Sequence, residues 1–492
     1  MIFEIGFNLF TIIWVIFLLY CIRSCIRPKN FPTVMIRIGP IILPFIGSAW
    51  TIPAKGVEFS IPKWVKKYGN TIGHKLYYEK LAIFCENADI YDGLKHPNFQ
   101  GRYQSKLFMQ RTRNKPLGFF FSDDETWSEV RRFTLRYFGT VFNTELETIL
   151  HDELLEEFNS IRCGKITDID GKFMKTPLNV ILRILTGTHR KNYQHQIDDL
   201  QAKTEKAFIE GRVNGIELVY PISRGLFKNY IQLDAIKAAH GFLKERLEEH
   251  KQNFDELDIK DYTDAFINES KKELELYGKV VNFTDDEFLS CGIDMLQAGN
   301  ESSGKTIEFL LMYVALTQRV QDELHEEIDR VVGQSRYPTL NDKIRMPYLE
   351  STIYEAMRIN PISPNGVLHR VTEDTHFKGY FLEKDTLLYF AVKYAMNDPK
   401  KWKNPDEFMP ERFMGGDRSK KRLPNFGLGK RSCIGEVLAK NFMFLYLAYF
   451  FQRYSIQFPS GYKPSTYPIL GLTNGPQPFK LIISERKNVN RL

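Results

Sequence analysis

The 492-residue sequence predicts a mainly α fold with small β-sheets, built as one large unit behind an N-terminal transmembrane anchor. Three observations predict it. Helical periodicity dominates the chain, and strand-like runs of β-branched and aromatic residues are confined to Ile72–Phe84, Thr375–Phe390 and Phe479–Ser484. No repeat, low-complexity tract or Gly/Ser-rich linker divides residues 45–492. Ile5–Ile22 is almost continuously apolar, broken only by Gly6, Asn8 and Thr11.

The elements follow in chain order. As a helix, Ile5–Ile22 spans ~27 Å, close to a bilayer core. Arg23, Arg27 and Lys29 follow it, and Glu4 is the only charged side chain before it. The positive-inside rule then puts the rest of the chain in the cytosol. A cleaved signal peptide is the competing reading, but its positive charge would precede the apolar run, and no small-residue cleavage site follows Ile22. Residues 1–26 are therefore read as a membrane anchor. Residues 27–47, with Pro28, Pro32, Pro40 and Pro44, form a stiff extended spacer. Residues 48–492 form the one large unit. On this topology the sequon asparagines Asn268, Asn282 and Asn300 stay unmodified.

Composition narrows the function. Charged residues make up 26% and the net charge is +7 with no polybasic block, which gives nucleic-acid binding little support. A basic patch for a membrane or an acidic protein remains open. The six cysteines are scattered without a C-x-x-C pair, so neither a zinc site nor a dithiol motif is indicated. Such scatter suits a reducing compartment.

The longest helical pattern starts at a capping box, Thr284-Asp-Asp-Glu287. It runs through Phe288–Leu296 and Gln297–Gly304 into the amphipathic segment Ile307–Val331. Its middle holds Gly299, Glu301, Ser302, Ser303 and Gly304, a costly set for a helix interior. A local rule broken in mid-element marks a function. Farther on, Phe426-Gly-Leu-Gly429-Lys-Arg431-Ser-Cys433-Ile-Gly435 presents one thiol behind a glycine turn at the start of an apolar helix. Glycines let the backbone approach a flat macrocycle. The helix start favours a thiolate.

This last run resembles the haem-binding signature of the cytochrome P450 family, F-x-x-G-x-R-x-C-x-G, with Phe426, Gly429, Arg431, Cys433 and Gly435 all matching. The resemblance extends in family order along nearly the whole chain. It covers the spacer, Trp127-Ser-Glu-Val-Arg131, Ala298-Gly-Asn-Glu-Ser-Ser303, Glu355-Ala-Met-Arg358 and Pro410-Glu-Arg412-Phe413. Trp127–Gly139 is similar to the microsomal branch that includes vertebrate drug-metabolising and insect hormone-related enzymes. The resemblance implies a cytochrome P450 fold, a haem b (iron protoporphyrin IX) bound through Cys433 as its metal ligand, and propionate contacts from Arg102, Trp127, Arg131, His369 and Arg431. His369 is given no axial role. Glu301 and Ser302 stand where the family places its catalytic acid and alcohol, and Ser302 replaces the usual Thr. Glu355, Arg358 and Arg412 stand for the family's buried structural network.

The implied function is a monooxygenase acting on a lipophilic substrate in the endoplasmic reticulum membrane. Its electrons would come from NADPH through cytochrome P450 reductase, with cytochrome b5 as a further donor. Arg418, Lys420, Lys421, Arg422, Lys430 and Lys440 form the expected docking surface. The expected pocket draws on Tyr103–Phe120, Gly292–Ser302, Ile362–Val367 and Ile469–Thr473. The apolar segment 219–227 either dips into the bilayer or packs as a loop. Two alternatives stay open: a haem-thiolate isomerase or dehydratase that uses no dioxygen, and a non-catalytic membrane haem protein.

Overall fold

In the computed structural model, the fold is organised around one long helix. The structure describes residues 11–12, 14–19, 48, 51–52, 57–76, 79–104, 109–187, 193–210, 232–415, 423–469 and 473–486. The helices, in order, are α1 (Ile61–Tyr68), α2 (Asn87–Lys95), α3 (Gly118–Phe121), α4 (Glu125–Thr144), α5 (Leu146–Asn159), α6 (Lys175–Thr186) and α7 (Gln194–Glu210). After them come α8 (Gln232–Asn253), α9 (Tyr262–Tyr277), α10 (Asp285–Leu316), α11 (Gln318–Val331), α12 (Pro347–Ile359), α13 (Val392–Met396) and α14 (Glu436–Arg453).

Helix α10 is buried along most of its length, as a central helix must be. It packs on α3, α6, α8, α12 and α14. A Cβ at Gly299 would come within 2.4 Å of Ile181 Cδ1 on α6, and one at Gly304 within 3.0 Å of the Phe173 carbonyl oxygen. These glycines therefore let neighbouring segments close on α10. The capping box forms by half: the Glu287 amide donates to Thr284 Oγ1 at 3.2 Å, while the Glu287 carboxylate turns inward to the Gly118 amide at 3.1 Å. The expected continuous pattern to Val331 breaks at Thr317, whose backbone (φ −127°, ψ 78°) separates α10 from α11.

The expected strand runs become β1 (Thr71–Leu76), β2 (Glu79–Phe84), β6 (Thr375–Phe377), β7 (Tyr380–Leu382), β8 (Leu387–Phe390) and β10 (Phe479–Glu485). The structure adds β3 (Gly101–Arg102), β4 (Ile166–Ile169), β5 (His369–Arg370) and β9 (Tyr454–Gln457), all too short to announce themselves by alternation. One sheet has the order β1-β2-β8-β5-β3, a second β4-β10-β9, and β6 and β7 form a hairpin. Among the described residues only the β2–β8 pairing is parallel.

Most of the expected anchor Ile5–Ile22 and the whole spacer, apart from its flank, lie outside the described residues. The part that is described is helical, with Trp14, Ile16, Leu18 and Leu19 all exposed. Among the described residues no helix is long and apolar enough to cross a membrane. The segment 219–227 also lies outside the described residues.

Candidate active site

The thiol loop is held by its own backbone. The Cys433 amide donates to the Phe426 carbonyl at 2.6 Å, closing a turn that uses positive φ at Gly427 (67°) and Gly429 (71°). Gly429 also brings the loop against α2, where an added Cβ would meet the Leu94 carbonyl oxygen at 3.1 Å. Gly435 is the N-cap of α14. Among the described cysteines, Cys433 alone is exposed. Yet burial pushes its thiol pKa up; the Gly435 amide and Arg131 oppose the rise, and Glu436 adds to it. A thiol that is exposed yet held toward its neutral form by the protein around it lies in a concave site.

Cations converge beside this loop. Strands β3 and β5 pair with Arg102 opposite His369. Arg131 comes from α4, whose N-cap Asp124 accepts the Trp127 amide at 2.9 Å. Arg131 Nη2 donates to the Ser432 carbonyl at 2.5 Å, next to the thiol. Arg431 Nε donates to the Gln100 carbonyl at 2.8 Å, and its guanidinium lies 3.5 Å from the Trp127 ring centroid. The Trp127 indole N–H, expected at a propionate, donates instead to the Phe119 carbonyl at 3.2 Å. Trp127 thus offers its ring face to the cluster. His369 Nδ1–H donates to the Phe99 carbonyl at 2.6 Å. Its pKa is driven well below the usual range by burial, then by Arg102 and Arg431, so the ring is neutral.

Asp123 and Asp124 favour the charged state of this cluster only from beyond ion-pair distance. Among the described residues no carboxylate forms an ion pair with Arg102, Arg131 or Arg431. Arg102 is pushed down to about 9, by burial first and then by Arg131. Arg431 is pushed down to about 8, by burial first and then by Arg102. Arg102 Nε and Arg431 Nη1 are buried without a hydrogen-bond partner. Buried guanidinium groups in this state need a bound anion.

On α10 the burial is broken. Ala298 is exposed while most of the helix is buried, and Glu301 and Ser302 are half-exposed. Ser302 Oγ–H donates to the Ala298 carbonyl at 2.6 Å. Behind the thiol loop, Glu355 and Arg358, both at 0% exposure, form a two-pronged pair at 2.8 and 2.9 Å. Arg412 Nε donates to Glu355 Oε1 at 3.2 Å. Arg358 also binds the Met396 and Pro405 carbonyls, which ties α12 to the loop before the thiol segment.

Sequence reasoning missed Asn425, whose amide donates to the Met357 carbonyl at 2.6 Å and fastens the thiol loop to α12. Nothing in its local sequence marks it. It also missed Arg111 and Asp294, a buried pair across the expected pocket. An acid inside the apolar run Phe288–Leu296 was the available signal for Asp294. Of the expected docking cations, Lys430 is exposed and Lys440 pairs with Glu436 at 2.6 Å. Arg418, Lys420, Lys421 and Arg422 lie outside the described residues.

The chain belongs to the cytochrome P450 family, whose family model matches residues 38–483. It is 29% identical over 469 residues to farnesoate epoxidase of Bombyx mori, covering 91% of this chain and 94% of that protein. It is 30% identical over 472 residues to cytochrome P450 2J1 of Oryctolagus cuniculus, covering 92% and 90%. A zebra fish cytochrome P450 solved with abiraterone superposes with a TM-score of 0.76 at 23% identity, over 88% of this chain and 99% of that one. The protein is a cytochrome P450 monooxygenase of the branch that holds these microsomal and insect relatives. The family implies haem, and the residues present fit it: an exposed cysteine in a desolvated hollow, beside buried cations that lack anions.

Proposed function

We propose that this enzyme inserts one atom of dioxygen into a lipophilic substrate, by hydroxylation or epoxidation, and releases the other as water. The reading is carried by the break in burial on α10, where Ala298 is exposed and Glu301 and Ser302 are half-exposed on a helix that is otherwise largely buried. A non-catalytic haem protein needs no acid and alcohol there, and an isomerase needs no proton delivery to dioxygen.

Cys433 would be the metal ligand, and Arg102, Arg131, Arg431 and His369 would hold the propionates, with Trp127 stacked behind Arg431. Haem bound through a cysteine thiolate supplies dioxygen activation, because the thiolate's electron density favours O–O cleavage. Arg131 steadies the loop by holding the Ser432 carbonyl. The Ser302 hydroxyl spends its proton on the Ala298 carbonyl, which leaves its oxygen as an acceptor. Glu301, the adjacent residue, would relay protons to that position.

Electrons would come from NADPH through cytochrome P450 reductase, with cytochrome b5 as a further donor and Lys430 on the docking side. The anchor of residues 1–26 would hold the protein on the endoplasmic reticulum membrane with its catalytic unit in the cytosol. The unit is apolar at Phe119, Phe120 and Ile362, which suits lipophilic substrates. The silk-moth relative's name points to terpenoid acids as the first candidates to try. The test is product formation from a lipid and terpenoid panel by the full chain with NADPH and reductase. Product that requires dioxygen supports the reading, and product formed equally without dioxygen refutes it.

A further inference from the structure

His250 lies in the last turn of α8, and both of its ring nitrogens meet acceptors. Nδ1 is 2.7 Å from the Arg246 carbonyl oxygen, and Nε2 is 2.7 Å from Asp261 Oδ2. A carbonyl oxygen and an ionised carboxylate only accept, so each contact needs an N–H from the ring. A neutral imidazole has one N–H and the imidazolium has two. This geometry therefore asks for the charged ring. His74, His96, His151, His240, His325 and His369 each use a single ring nitrogen, which a neutral ring can serve. Among the described residues His250 stands apart from them.

Its partner joins two helices. Asp261 is the N-cap of α9, where its Oδ1 accepts the Asp264 amide at 3.0 Å. One oxygen of the carboxylate thus caps α9 and the other holds α8. Gly187, the C-cap of α6, closes on it from another side, since an added Cβ there would come within 2.8 Å of Asp261 Oδ2. Asp264 adds a second negative charge, and its Oδ2 accepts the Lys260 amide at 3.2 Å. Among the described residues no lysine or arginine forms an ion pair with either acid; the Lys260 ammonium favours the charge of Asp264 from a distance and pairs with Asp258 at 3.4 Å. The charges that flank His250 on α8 are engaged elsewhere, Glu249 with Arg246 at 2.7 Å and Lys251 with Asp285 at 2.6 Å. From α4 the Tyr137 phenol faces the same two acids, and it is kept neutral by burial first and then by Asp261, Glu145 and Asp264. Burial lowers the His250 pKa, but the hydrogen bond and charge of Asp261, with the Arg246 carbonyl and Asp264 behind them, outweigh it and the net direction is up. The C-terminal end of a helix also favours a cation.

We propose that His250 is a pH-sensitive clasp, which when protonated fixes the end of α8 to the start of α9 and on losing its proton lets this corner open. Without the second N–H, one of the two contacts sets lone pair against lone pair, and the two acids keep their charges with no cation between the helices. The stabilisation is complete below the ordinary histidine value of about 6.5 and is lost as pH rises through the higher folded value. The same helix packs on α10, where a Cβ at Gly292 would come within 2.8 Å of Leu243 Cδ1, so the corner adjoins the helix that carries Glu301 and Ser302. The clasp is independent of the chemistry at Cys433.

The test is hydrogen–deuterium exchange with mass spectrometry on the full-length haem-loaded protein, corrected for the intrinsic pH dependence of exchange. Peptides covering the second half of α8 and the start of α9 report the corner, and peptides from β2 and β8 report opening of the whole fold. Protection at the corner should fall from about pH 6 to about pH 9, by at most about tenfold per pH unit, the limit for one linked proton. The reference peptides should not follow it. His250→Gln, which has no titrating group, should flatten the profile. Asp261→Asn should flatten it too while keeping α9 capped, because asparagine caps as well as aspartate. Protection that does not fall with pH in the unmodified protein, that falls equally in the reference peptides, or that falls undiminished in either variant overturns the proposal.

Discussion

Ser302 carries the sharpest residue-scale consequence. Its hydroxyl sits on the Ala298 carbonyl, but serine lacks the methyl that limits threonine's rotamers. Ser302→Thr should therefore raise the share of NADPH electrons that reach product. Ser302→Ala should lower product formation by about tenfold or more. NADPH consumption, product and hydrogen peroxide measured together decide it, and unchanged ratios in both variants would remove Ser302 from proton delivery. The cations of the cradle show what one residue's burial means. Arg102 and Arg431 are ordinary arginines in the sequence, and only the fold brings them beside His369 and Trp127.

At the scale of elements, contacts between helices and loops set both stability and its pH dependence. Glu287 joins α10 to the Gly118 turn. Burial pushes its carboxyl up to about 7 from 4.5, with Asp294 and Asp124 adding to the rise and the Gly118 amide and Cys291 opposing it. A raised carboxyl pKa gives stability that is complete below the unfolded value and is lost as pH climbs through the folded one. Glu287→Gln should flatten that loss and melt at a higher temperature than the unmodified protein above about pH 7. Equal melting curves for both proteins across this range would refute it. The α12 network makes a second case. Glu355→Gln strands the buried Arg358 and should cost about 3–5 kcal/mol. Because α12 also holds the thiol loop through Asn425, the thiolate-type carbonyl signal should fall with it. A stable variant with a full signal would show that the network is dispensable.

For the whole molecule, the expected division is an anchor followed by one catalytic unit. The family model begins at residue 38, and the described helices and sheets pack into two adjoining apolar clusters. A chain lacking residues 1–26 should therefore keep its haem and its thiolate-type carbonyl spectrum, while less of it sediments with membranes. Loss of the spectrum on deletion would mean that the N-terminal segment belongs to the catalytic fold.

Much of this was legible in the sequence because it is local. The cysteine turn needs its glycines within a few residues of the thiol, and Glu355 and Arg358 meet because they lie three apart on one helix. The apolar run of α10 likewise declares a central helix. The remainder depends on residues far apart in the chain. The two-residue strands pairing Arg102 with His369, the indole N–H spent on Phe119, and Gly299 set against Ile181 all follow from which surfaces meet. Sequence fixes side-chain chemistry and short-range geometry. Packing decides which polar groups are cut off from water, and a buried group left without a partner is what marks a place for a ligand.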